Sequence, residues 1–130
     1  MLVRMILAFC AILLFAPFAA AQECQTLDQE GRAQVIRKAP TCDAAMASFG
    51  DCAYGASGDT LLGQIVTEKC QGDFLRKLSA GQRRTYQRGI KRCNDKYATM
   101  EGTMYIAMAA GCRAELARSY AHKFSRARQR

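Results

Sequence analysis

The chain reads as a small all-α protein, a disulfide-stapled bundle of four to five antiparallel helices. Three observations point there. Only two prolines occur in 130 residues, Pro17 and Pro40, so long stretches carry no helix breaker. No run of alternating β-branched residues marks a strand. Beyond Asp59, apolar residues recur at spacings of three and four, the rhythm of one helical face.

The N-terminal segment stands apart from that bundle. Arg4 precedes an apolar run from Met5 to Phe18, and Ala19-Ala20-Ala21 offers the small residues of a cleavage site. Residues 1–21 are therefore expected to be a general-secretion signal peptide. Residues 22–124 form one helical domain, and 125–130 a basic disordered tail. The apolar run falls short of the roughly 18 residues of a membrane span, so no transmembrane segment is expected after cleavage. This pattern places the mature chain in a bacterial periplasm or outside the cell.

Each helix has a start and a stop signal. The first covers about 26–38, with Thr26 and Gln29 at capping-box spacing and Pro40 as its end. Thr41 caps a second helix to about Tyr54, with Ala45, Phe49 and Ala53 on one face. Gly55 and Gly58 mark the turn, and Asp59 caps the third helix. Its apolar set is Leu61, Leu62, Ile65, Val66, Cys70, Phe74, Leu75 and Leu78. Ser79 and Gln82 repeat the capping-box spacing and open a fourth helix with the stripe Tyr86, Ile90, Cys93, Tyr97. Gly102 breaks the pattern. Thr103 caps a fifth helix, lined by Tyr105, Met108, Ala109, Cys112, Leu116, Tyr120 and Phe124.

Cys10 leaves with the signal, and six cysteines remain. An even count in an exported chain reads as a disulfide framework. Spacing alone leaves fifteen pairings open, but antiparallel hairpins add a constraint: facing residues lie equally far from the turn. Cys93–Cys112 straddles Gly102-Thr103, Cys42–Cys70 straddles Gly55–Gly58, and Cys24–Cys52 straddles the Pro40 region. Cys42–Cys52 is excluded if both lie on one helix, because ten residues rise about 15 Å and a disulfide needs Cα atoms within about 7 Å.

Chemistry is sparse. His122 is the sole histidine and reads as a surface residue. The acids are scattered, and no C-x-x-C spacing suggests thiol–disulfide catalysis or zinc. Gly55-Ala56-Ser57-Gly58 has no following lysine and so is not a phosphate loop. Neither enzyme activity, nor a metal, nor a cofactor is expected.

Charge is the strongest functional signal. Residues 22–75 hold four bases and eight acids, whereas residues 76–130 hold fourteen bases and three acids. Arg84, Arg88 and Arg92 stack at spacing four on the fourth helix, with Lys91 beside them. Like charges so placed repel one another by a few tenths of a kcal/mol, which a sequence serving only its own fold has little reason to keep. This face, with Arg113 and Arg118 of the fifth helix at its edge, is the candidate anion-binding surface. Export makes nucleic acid an unsuitable partner despite a pI of about 9.4.

The second half carries Leu78-x3-Gln82-Arg83-x2-Tyr86-x6-Cys93, then Gly102-Thr103-Met104-Tyr105-x6-Cys112-x-Ala114-Glu115-Leu116. This order resembles the lysozyme inhibitor LprI-type N-terminal domain family, small secreted cysteine-containing helical domains, with this chain a divergent member. Cys42 and Cys52 look like the family's upstream cysteines, and Asp59 like its following aspartate. Tyr86 stands where the family carries tryptophan, and Cys24 and Cys70 look like additions. The resemblance implies a non-catalytic exported binding domain, an inhibitor of lysozyme or another wall-cleaving enzyme. The charge suggests the alternative, a module for an anionic envelope component such as lipopolysaccharide or anionic lipid. Either way a monomer is expected, acting on a protein or a polyanion.

Overall fold

A computed structural model describes Cys24 and residues 26–126. The expected signal peptide and residues 127–130 of the expected tail lie outside the described residues. Helix α1 spans Gln29–Lys38. Its N-cap is Asp28, whose carboxylate accepts from the Gly31 amide at 2.8 Å. The expected Thr26–Gln29 capping box is thus replaced. Aspartate caps as well as threonine, and Gln29 instead donates its amide across the fold to the Gly58 carbonyl at 2.7 Å.

Thr41 caps α2 (Cys42–Cys52) by accepting from the Ala44 amide at 3.1 Å. Cys42, Ala45, Phe49 and Cys52 form its buried stripe. The chain then turns at Gly55, whose φ of 77° is costly for any residue with a Cβ. Asp59 does not cap α3 (Asp59–Phe74) as expected; Gly58 holds that position. Asp59 is buried and faces backwards, accepting from the amides of Tyr54 and Gly55 at 3.1 and 2.6 Å. Its carboxylate satisfies two amides of the loop that follows α2, and so closes the α2–α3 turn.

A 3-10 turn, Leu75–Lys77, ends the third segment, and Leu78 is buried beyond it. Ser79 and Gln82 form the capping box of α4 (Ala80–Tyr97), with bonds of 3.2 and 2.8 Å. Gly102, at φ 111°, begins α5 (Thr103–Arg126). Two residues of the expected tail, 125 and 126, therefore continue this helix.

Consecutive helices run antiparallel, and the three disulfides cross their turns. Cys24–Cys52, Cys42–Cys70 and Cys93–Cys112 have Cα separations of 5.0, 4.7 and 5.6 Å. The core centres on α3 and α5, which run parallel. Gly63 lies beside Ala110, and Phe74 packs on Tyr120, eleven and ten residues further along their helices. On this side α5 buries Ala107, Ala110, Ala114, Ala117 and Ala121 at spacings of three and four. That corrects the expected stripe, in which Met108 was an inward residue; Met108 is 44% exposed. Alanines let two helix backbones approach closely, so the tightest seam of α5 is built from its smallest side chains. The bulkier Cys112, Leu116 and Tyr120 face α4. Tyr86, Gly89 and Cys93 are the buried residues of α4, and Tyr86 meets Phe74 edge-on at 5.1 Å.

Candidate anion-binding surface

The core stripe of α4 turns its opposite side outward. Arg84, Arg88, Lys91 and Arg92 are all exposed on that side. Lys91 pairs with Asp95 at 2.6 Å, one turn along the helix. Arg88 donates to the Thr85 hydroxyl at 3.0 Å. Among the described residues, Arg84 and Arg92 enter no ion pair. One acid thus interrupts the far end of the face, and its N-terminal half is uncompensated.

Of the two arginines expected at its edge, Arg113 meets α4 and Arg118 lies elsewhere. Arg113 donates to Asn94 at 2.5 Å and sits on the flank of α4. Arg118 points to the other side of α5, where it pairs with Asp43 of α2 at 2.7 Å and with Glu115 at 3.6 Å. His122 joins the same carboxylate, its Nε2 donating to Asp43 at 2.7 Å. Histidine and arginine four residues apart on α5 share a face, and α2 supplies their counter-ion. His122 is therefore an interhelical tie rather than a solitary surface residue. The Arg118 hydrogen bond, ahead of the His122 contact, holds the Asp43 carboxyl below its ordinary value of 3.8. The same pairing raises the pKa of Arg118.

Where Arg118 was expected, the fold brings Lys123 to the basic face. The antiparallel register fixed by Cys93–Cys112 carries the end of α5 past the start of α4. Between them lies a groove of about 530 Å³, bordered by Arg84, Thr85, Arg88, Tyr120, Lys123 and Phe124. Among the described residues, no carboxylate lines it. Tyr120 and Phe124 stack at 6.3 Å and belong to the ring cluster with Phe74 and Tyr86, so the wall beneath the cations is rigid and aromatic. The turn-midpoint rule that pairs the cysteines also sets Thr85 opposite Tyr120, a signal in the sequence that locates this groove.

The opposite end of the hairpin has a different character. Met100, Met104, Ile106 and Met108 are exposed by 44–54%, beside the stacked Tyr97 and Tyr105. The tip is apolar where the groove is cationic. All six described cysteines are consumed in disulfides and offer no thiolate. Neither a family model, nor a curated protein, nor a solved structure matches this chain.

Proposed function

We propose that this is an exported, non-catalytic binding module that docks on an anionic envelope component through α4. One observation carries the reading. Arg84, Arg88 and Lys123 converge on a groove that, among the described residues, no carboxylate lines, at the end of the chain's strongly basic half. Cations held together without counter-ions repel one another, and an anionic partner relieves that repulsion. Three disulfides suit the rigid display of such a face in an oxidising compartment. The test is binding to anionic and neutral vesicles, and to lipopolysaccharide, over a salt series. Salt-sensitive binding to the anionic surfaces alone is expected, and reversal of Arg84, Arg88 and Arg92 to glutamate abolishes it with helicity unchanged. Equal binding to neutral vesicles contradicts the reading.

The exposed apolar tip favours a second reading, that of an inhibitor in the manner of the LprI-type domains. Met100, Met104, Ile106 and Met108 form a patch suited to a protein partner such as a wall-cleaving enzyme. Against it stands charge: a strongly cationic lysozyme and this basic half repel each other at long range. A pull-down from envelope extract at low and high salt separates the two. A wall hydrolase retained at high salt supports inhibition, and loss of all retained material supports the polyanion reading.

A further inference from the structure

We infer that the groove between the start of α4 and the end of α5 binds a phosphorylated amphiphile, with its phosphate on Arg84, Arg88 and Lys123 and its apolar part on Tyr120 and Phe124. The inference rests on the anion-binding reading and deepens it by naming the ligand class and the site.

Two kinds of wall meet in this one groove. The cationic side is supplied by both helices: Arg84 and Arg88 lie one turn apart on α4, and Lys123 reaches in from α5. Among the described residues, Arg84 and Lys123 enter no ion pair, and Arg88 is held only by the neutral Thr85 hydroxyl. Two guanidinium forks and one ammonium match the several oxygens of a phosphate better than the single pair of a carboxylate. The apolar side is the exposed edge of a ring cluster whose inner members, Phe74 and Tyr86, are buried. Tyr120 and Phe124 are only half-buried. An inorganic anion leaves these rings wet. A phosphate carrying an acyl chain or a similar apolar body covers them.

The groove is also distinct from the rest of the basic face. Arg92 lies further along α4 and does not border it, whereas Lys123 borders it and lies on another helix. Each residue therefore reports on one feature alone, and both are exposed, so their reversal leaves the core untouched.

The experiment follows amide shifts of the disulfide-intact protein by NMR during titration with three probes. These are dihexanoyl phosphatidic acid below its micellar concentration, inorganic phosphate, and dihexanoyl phosphatidylcholine. Phosphatidic acid is expected to bind about tenfold or more tighter than inorganic phosphate, since covering even two methylenes supplies that factor. Shifts should centre on 84–88 and 120–124. Lys123→Glu is expected to weaken phosphatidic acid about tenfold, the loss of one charge-assisted bond, and Arg92→Glu to change it by less than about twofold. Equal affinity for inorganic phosphate or for phosphatidylcholine overturns the proposal. So does a loss in Arg92→Glu equal to or greater than that in Lys123→Glu, which leaves the α4 face as the binding surface without the groove. No binding of phosphatidic acid, together with no binding to anionic vesicles, removes both readings.

Discussion

Gly63 of α3 lies so close to Ala110 of α5 that a Cβ on residue 63 would sit 2.9 Å from the Ala110 Cβ and 3.1 Å from its carbonyl carbon and oxygen. Two of these neighbours are backbone and cannot rotate away. Gly63→Ala should therefore destabilise the protein by about 1–3 kcal/mol through overpacking, although alanine gains about 1 kcal/mol over glycine in helix propensity. Urea unfolding of the oxidised protein measures the balance. A stabilised variant would mean that α3 and α5 pack more loosely than their small-residue seam implies.

Asp43 joins α2 to Arg118 and His122 of α5, and the sign of its pH effect follows from its lowered pKa. A carboxylate held below its ordinary 3.8 contributes stability above that value and loses it as pH falls through the lowered pKa. The pair is half-exposed, so the contribution is about 0.5–1 kcal/mol at most. Asp43→Asn should lower stability at neutral pH by that amount and match the wild type in strong acid. Thermal melts at both pH values, at low and high salt, check the convergence.

The Tyr86 hydroxyl, at the centre of the ring cluster, accepts from the Gln71 amide at 3.0 Å, and burial raises its pKa. Tyr86→Phe strands that half-buried amide and should cost about 1 kcal/mol. Gln71→Leu in the same background should restore part of the loss. A double-variant cycle by urea unfolding tests the pair.

Helix α4 packs chiefly on α5, and Cys93–Cys112 is its covalent tie. Replacing both cysteines by serine should cost roughly 2–4 kcal/mol and weaken anion binding, because the register that brings Lys123 beside Arg84 depends on it. Thiol titration of the unfolded wild type should find no free thiol among the six cysteines from Cys24 to Cys112.

What was legible in the sequence was local or set by a turn. Ser79 and Gln82 identify their capping box because both partners lie within one turn of chain. The cysteine pairs follow because two helices and a glycine turn leave little freedom of register. Other features depend on distant chain. Asp59 resembles an N-cap, yet the bare amides at Tyr54 and Gly55 claim its carboxylate. Arg118 resembles an edge residue of the basic face and His122 a surface residue until α2 brings Asp43 against them. The alanine seam of α5 escapes a reading that follows bulk, because Ala107 to Ala121 carry little hydrophobic weight while permitting the closest approach. The groove joins residues of α4 to Lys123, which no motif links and only the turn register of the α4–α5 hairpin brings together.

The most direct measurement compares two triple variants that change net charge equally. One reverses Arg84, Arg88 and Arg92 on α4; the other reverses the exposed Arg37, Lys38 and Arg76 on other elements. Both are titrated onto anionic vesicles at low salt, with far-UV circular dichroism as the check on folding. Binding lost in the α4 variant and largely kept in the other is the predicted result. Equal loss in both would show that net charge alone attracts the protein, and would contradict a binding face on α4.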